Sequence, residues 1–343
     1  MTMFFEDKKV LVTGGCGTVG KELVNQLVYK YGVKELVVLD NNESELFYQT
    51  EAYRDHHNVH FYLCDIRDEG ALTRKMEGVD IVFHTAAFKH VILCEQVPHE
   101  AVQTNILGVD NIVRAAVNSG VSKVIFTSSD KAVNPTNVMG TSKLMGERLI
   151  TAANVEFKKS GCIFASTRFG NVLGSRGSVI PIFREQLRKG GPLTLTHREM
   201  TRFIMSVEES VQLIVDSAML AKGGEVFVTK MPVIAIKDLA EVMIRKLAPE
   251  YGQDPAKIEI KEIGVKPGEK LYEELMTGEE TGRALELERY FVVKPAIMKR
   301  FTDIDYSYQG VVSEQVENPY NSANEPKLSQ DELAVFLVEN NLI

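Results

Sequence analysis

The stretch "FTSSDK" (126–131) sets two hydroxyls, a carboxyl and an amine side by side, on Ser128, Ser129, Asp130 and Lys131. A carboxyl beside an amine can give and take protons. Ordinary pKa values of about 3.9 for Asp and about 10.4 for Lys favour the ion pair, whereas these roles need the neutral acid and the neutral amine. Partial burial would raise the Asp130 pKa, and positive charge from Lys143 would help Lys131 lose its proton. Both forms hold the same number of protons, so the two groups titrate as a coupled pair. Lys143 lies four residues beyond Met139, one turn along a predicted helix, where its amine can reach a cofactor ribose. The bland alternative is a solvated Ser-Ser-Asp-Lys turn, and a second constellation near the start of the chain weighs against it.

That constellation is "VTGGCGTVG" (12–20). Gly14, Gly17 and Gly20 follow an apolar strand and open a helix at Thr18 and Val19, the pattern in which a dinucleotide's pyrophosphate meets a helix N-terminus. Asp40 ends the next strand, 20 residues after Gly20. It can accept from ribose hydroxyls and would repel a 2′-phosphate, and "LDNNE" brings no basic residue after it, so the expected cofactor is NAD rather than NADP. Asp65, followed by Ile66, is a candidate for the adenine edge, with an N-cap or turn as its structural alternative. Ala86 and Ala87 in "HTAAFKH" offer small side chains beside a cofactor, and Lys89 and His90 emerge where a substrate can sit. Asn105 reads as a buried structural amide.

These groups need a sheet to align them. "KKVLVTGG", "KELVVLD", "NVHFYLCD", "VDIVFHTAA", "VSKVIFTSSD" and "GCIFASTRFG" are strand candidates alternating with helices at 18–32, 68–76, 99–118 and 140–158. The expected fold is α/β, a Rossmann-type doubly wound parallel sheet with ligands at the strands' carboxyl ends and a smaller mixed α/β substrate lobe. The rhythm changes near residue 175. We therefore expect a dinucleotide domain over 1–175 and a lobe over 176–343, with helices at 206–221 and 236–248 returning to the main domain. Ser329 is a candidate N-cap for a final helix.

The 343 residues, 44% of them hydrophobic, can bury a large core. Thirty-nine Lys and Arg against 47 Asp and Glu give a net charge of -8, which offers nucleic acid little electrostatic attraction. Cys16, Cys64, Cys94 and Cys162 form no CxxC pair, and His90 with Cys94 lacks further ligands nearby, so no metal is expected. No apolar run has the length of a membrane span or the flanks of a signal peptide, and a reducing cytoplasm is the simplest location.

Together, "TGGCGTVG", "HTAAFKH", "SSDKAVNPTNVMGTSK", "RFGNVLGSRGSVIPIF", "MTRFIMS" and "KPGEKLYEEL" resemble the extended short-chain dehydrogenase/reductase (SDR) superfamily. Within it the chain is similar to nucleotide-sugar 4,6-dehydratases acting on UDP-N-acetylglucosamine, from about Lys8 to near Asn340. The resemblance implies oxidation at sugar C4, loss of the C5 proton and C6 hydroxyl, and return of hydride to C6, giving a UDP-4-keto-6-deoxy-N-acetylhexosamine. It implies Asp130 as the acid and Lys131 as the C5 base. Where the parent superfamily has a proton-accepting tyrosine stands Met139, whose thioether has no proton to exchange. A subgroup of these dehydratases carries the same methionine. The O4 proton must then leave through Ser129, Asp130, Lys131 or water.

The same resemblance implies UDP-binding roles for Asn171, for the turn of Ser175, Arg176, Gly177 and Ser178 leading into Val179, for Arg202 at the diphosphate, and for Glu269 at the uridine ribose. It further implies retention at C5, a homo-oligomer built on the helices at 99–118 and 140–158, and a place in bacterial surface polysaccharide or glycoprotein sugar synthesis. The inverting dehydratase, a nucleotide-sugar 4-epimerase or reductase, and a silent binding scaffold are the competing readings.

Overall fold

Runs rich in Val, Leu, Ile and Phe, all but one closed by Thr, Asp, His or Arg, become the strands of one sheet. In the computed structural model, which describes residues 4–175, 177–265 and 268–343, these are β1 (Lys9–Thr13), β2 (Glu35–Asp40), β3 (Val59–Leu63), β4 (Ile81–His84), β5 (Lys123–Thr127) and β6 (Ile163–Arg168). They pair in parallel in the order 3-2-1-4-5-6. The order reverses between β1 and β4, and the crevice above that point is where ligands of doubly wound sheets bind. Register aligns Thr13 with both Leu39 and His84, and His84 with Phe126. The carboxyl ends of the central strands therefore open on one edge.

The sheet does not stop at β6. Strand Val226–Thr229 adds in parallel, and Tyr290–Val293, Ala284–Leu287 and Val311–Ser313 extend it antiparallel to ten strands. Helix α1 (Thr18–Tyr29) and helix Val207–Leu220 pack together on one face, the latter also against β5 and β6. Helix Ile236–Leu247, expected on the main domain, instead packs on helices Val179–Arg188 and Gln330–Glu339 in the smaller lobe. Its apolar face of Leu239, Val242, Met243 and Leu247 joins Leu187, Leu193 and Leu333 in a separate core. Ser329 caps the final helix in a reciprocal box with Glu332.

Helices Glu43–Ala52 and Val91–Gln96 were not anticipated. The segment expected as one helix over 99–118 contains a π turn at Val102–Leu107. A π turn lets one residue project out of helical register, often at functional sites. Here that segment carries Asn105, whose amide accepts from Phe88 N at 2.8 Å and donates to Phe88 O and Ser142 Oγ, both at 2.9 Å.

His84, fully buried at the end of β4, sits 2.7 Å from Thr13 Oγ1 through Nδ1. Burial, reinforced by the charge of Lys143, pushes its pKa down to about 3. As pH falls from about 6.5 toward that value, the unfolded chain takes up a proton that the folded one refuses, so stability declines by up to about 1.4 kcal/mol per pH unit. Urea unfolding at pH values between about 7 and about 5 should show a shallower loss for His84→Gln than for the parent.

Candidate active site

Above the switch point a cavity of about 720 Å³ runs from Gly14, Gly17, Thr18, Val19 and Gly20 to Asp130, Lys131, Met139 and Lys143. A smaller one of about 270 Å³ adjoins it and is bordered by Asp40, Asp65, Ile66 and Ala86. A Cβ on Gly20 would lie 2.1 Å from Gly14 O, so only glycine lets the helix start this close to the turn. Gly17, the N-cap of α1, provides no side-chain cap, which leaves the helix N-terminus to an anionic group. Asp40 is fixed by Cys16 N at 2.9 Å and Asn42 N at 3.0 Å. This cradle fits a dinucleotide with free ribose hydroxyls.

Asp65 borders the smaller cavity, but both its oxygens are taken by Arg67, which also binds Glu100 at 3.1 Å. That hydrogen bonding holds the Asp65 carboxyl below its ordinary pKa. Ile66 is buried against Gly108. Ala87, Lys89 and His90 line the larger cavity.

The proton-moving groups follow β5. Asp130–Ala132 form a short 3-10 turn, and Gly140, at the start of helix Val138–Glu156, allows that helix to abut it: a Cβ there would stand 2.2 Å from Lys131 O. Ser129 Oγ donates to Asp130 Oδ1 at 2.6 Å, and Lys131 Nζ lies 3.0 Å from Asp130 Oδ2. The ion pair favoured by ordinary pKa values is therefore the resting form. Burial works to raise the Asp130 pKa, but the Lys131 charge and the Ser129 hydroxyl outweigh it and the net shift is downward. Burial likewise works against the Lys131 charge, yet Asp130 and Glu273 raise its pKa overall. Both directions correct the sequence expectation that local environment alone neutralises the two groups.

Lys143 Nζ donates to Thr127 O at 2.8 Å and stands 4.7 Å from the Phe126 ring centre; burial brings its pKa to about 8. Met139 is buried with Cys94 and Ala101 in a small apolar cluster and reaches the cavity wall. Ser128 Oγ and Ser178 Oγ, on residues lining the same cavity, have no hydrogen-bond partner among the described residues. Such orphaned donors suit a polar ligand.

The smaller lobe closes a second cavity of about 570 Å³, sharing Asp130, Lys131 and Asn171 with the first and adding Arg202, Glu269 and Glu273. Asn171, expected to donate to a phosphate, instead spends its Nδ2 on Glu273 and on Phe203 O. Arg202 donates to the carbonyls of Thr201, Leu271 and Lys270 and lies 3.3 Å from Glu273 and 3.6 Å from Glu269. Arg202, expected to hold the diphosphate, faces the cavity in ion pairs with these two carboxylates. Ser178 caps helix Val179–Arg188 without a side-chain bond, and Val179 packs toward the lobe's core. Arg176 lies outside the described residues.

Glu273 was not singled out in the sequence. Its carboxylate is buried, accepts from Phe203 N at 3.0 Å and lies 4.0 Å from Lys131 Nζ. Burial and the neighbouring Asp130 charge push its pKa up to about 7. The doublet in "KLYEELM" reads as a solvated charge run, and only the partners across the lobes reveal otherwise.

A 3-2-1-4-5-6 sheet, a glycine-turn cradle and a lysine one turn along the next helix together define an extended SDR enzyme. The chain belongs to the polysaccharide biosynthesis protein family, whose model matches residues 10–295. It is 52% identical over 292 residues, 85% of this chain and 87% of the relative, to an uncharacterized membrane protein of Methanocaldococcus jannaschii. It is 36% identical to a UDP-glucose 4-epimerase of Rickettsia bellii, over 97% of this chain and 96% of the relative. The solved structure of Pen from Bacillus thuringiensis superposes with a TM-score of 0.92 at 41% identity, covering 99% of this chain and all of that one. Among the described residues, no helix is long and apolar enough to cross a membrane.

Proposed function

We propose that the chain is an NAD-dependent UDP-N-acetylglucosamine 4,6-dehydratase that retains configuration at C5. The observation that carries this reading is the Asp130–Lys131 pair, 3.0 Å apart on the wall shared by the cofactor and second cavities. An epimerase needs only a group to move the O4 proton, and Met139 stands where that group would be. A dehydratase needs an acid and a base for C6 and C5 as well, and both are present.

When bound in the glycine-turn cradle, NAD would supply the hydride chemistry at sugar C4 and C6. Lys143, held by Thr127 O, orients the nicotinamide ribose. Lys131 removes the C5 proton, made acidic by the new ketone, and Asp130 protonates the departing C6 hydroxyl. Lys131 then returns the proton to the same face of C5. Ser178 and the uncapped helix behind it receive the diphosphate. The protein works as a homo-oligomer, a reading supported by exposed Val102, Leu107 and Met145 on the helical segments beside the site.

Mass spectrometry after incubation with UDP-N-acetylglucosamine and NAD tests the proposal. Loss of one water is the expected result. A product of unchanged mass would establish the epimerase, the reading favoured by the Rickettsia relative. Proton NMR in deuterated solvent decides between retention and inversion.

A further inference from the structure

Dehydration takes one proton from O4 and delivers one to O6, and the O4 proton leaves first. On the dehydratase reading, on which this inference rests, Asp130 must already be protonated as acid for O6 and Lys131 must be neutral as base for C5. Neither can then store the O4 proton, and a thioether cannot accept it. A further carboxylate does reach this cluster. Glu273 lines the same cavity as Asp130 and is 4.0 Å from Lys131 Nζ, which itself lies 3.0 Å from Asp130 Oδ2. It comes from the other lobe, anchored by Phe203 N, Asn171 Nδ2 and Arg202 Nε, with its own N–H bonded to Ser322 Oγ at 2.9 Å.

We propose that Glu273 forms a proton-sharing carboxyl pair with Asp130 and, acting through Asp130, holds the O4 proton until it leaves with the C6 hydroxyl.

The cycle balances. The productive enzyme has Lys131 neutral and one proton shared between Asp130 and Glu273; the resting ion pair, with Glu273 ionised, holds the same single proton. When C4 gives up its hydride, the O4 proton passes by way of Ser129, whose hydroxyl already bonds Asp130, and both carboxyls become neutral. Lys131 takes the C5 proton as the C6–O bond breaks, and Asp130 protonates the departing oxygen to form water. One shared proton remains. Hydride then reaches C6, Lys131 returns its proton to C5, and the starting state is restored. Glu273 is a positioning residue in this scheme, since it touches the reacting atoms only through Asp130.

The ionised form of Glu273 is the competent one, because a carboxyl that already holds a proton has no place for another. The charges facing it are Asp130 and Lys131 from the turn after β5, Arg202 from strand Thr201–Met205, and Glu269, Lys270 and Glu274 along its own segment. Burial and Asp130 raise its pKa, while Arg202 and Lys131 oppose the rise. The parent kcat/KM should therefore fall as pH drops through about 7. Glu273→Gln, which keeps an acceptor for Phe203 N and Asn171, should behave at every pH like the acidified parent. Its turnover should be slower by at least about 10²-fold, the acidic limb should be lost, and binding of NAD should be unchanged.

Retention of the parent rate and acidic limb by Glu273→Gln would overturn the proposal. Infrared difference spectra of the parent without substrate give a second readout, independent of turnover. A carboxylic-acid band should appear as pH is lowered through neutrality, be absent from Glu273→Gln, and move to lower pH in Asp130→Asn, where the like charge is gone. A parent with no carboxyl titrating near neutrality would also refute it. Should the parent fail to dehydrate UDP-N-acetylglucosamine at all, the proposed function falls while the infrared experiment still decides whether the proton is shared.

Discussion

Asp130→Asn and Lys131→Met should each leave a folded protein that binds NAD yet dehydrates UDP-N-acetylglucosamine at least about 10²-fold to 10⁴-fold more slowly. The asparagine cannot deliver a proton to the departing C6 hydroxyl, although it preserves the shape of the side chain and can still bond Ser129. The methionine fills the volume of the lysine stem but has no amine to receive the C5 proton. The two variants should differ in what they leave behind. Lys131→Met deprives Asp130 and Glu273 of their common counter-ion, so it should also lower thermal stability, whereas Asp130→Asn should not. NAD titration, an unfolding midpoint and single-turnover product analysis separate these outcomes. Dehydration at the parent rate by either variant would remove that residue from its assigned role.

The largest stability effect should come from Arg168→Met. Arg168 is almost wholly buried at the end of β6, and all five of its N–H donors are used. Nε and Nη2 meet Glu147 at 3.0 and 2.7 Å, Nη1 and Nη2 meet Glu280 at 3.1 Å, and Nη1 also donates to Leu275 O at 2.9 Å. Two buried carboxylates share this cation, and Glu280 also lies 3.7 Å from Arg283 Nη2. Removing it strands Glu147 and leaves Glu280 with only the longer Arg283 contact; a single broken buried pair costs about 3–5 kcal/mol. Urea unfolding of Arg168→Met should show at least that loss. A triple variant that also carries Glu147→Gln and Glu280→Gln should recover part of it, because the stranded charges would then be gone. Equal stability of the single and triple variants would mean that the charges are relieved by water or by rearrangement.

The parts of this molecule that were legible in advance are those coded by neighbours in the chain. The glycine turn, Asp40, the Ser129–Lys131 cluster and Lys143 all lie at ends of strands or in the first turns of helices that periodicity reveals. Helix Glu43–Ala52 was missed because "ESELFYQTEA" buries only Leu46 and so shows no apolar stripe. The place of helix Ile236–Leu247 was missed for a different reason: an amphipathic face shows that a helix packs, not what it packs on. Glu273, Asn171 and Arg202 are harder still. They come from three separate segments of the chain after β6, and their pairing is a property of tertiary contact, so a donor read as directed at phosphate was already spent on a carboxylate. Pairing also explains why the Asp130 and Lys131 shifts run opposite to expectation, since each group is the main charged neighbour of the other.

The ten-stranded sheet carries one more implication. Its last four strands are drawn from residues 226–313, the same half of the chain that builds the pocket wall bearing Arg202 and Glu273. Substrate selection in this protein is thus not carried on a transplantable cassette. A gene fusion cut near residue 175 would strip β6 of its neighbour and leave an unpaired apolar edge, a template for aggregation. New sugar preference would have to arise by exchanging single side chains in a chain that is woven through both ends of its own scaffold.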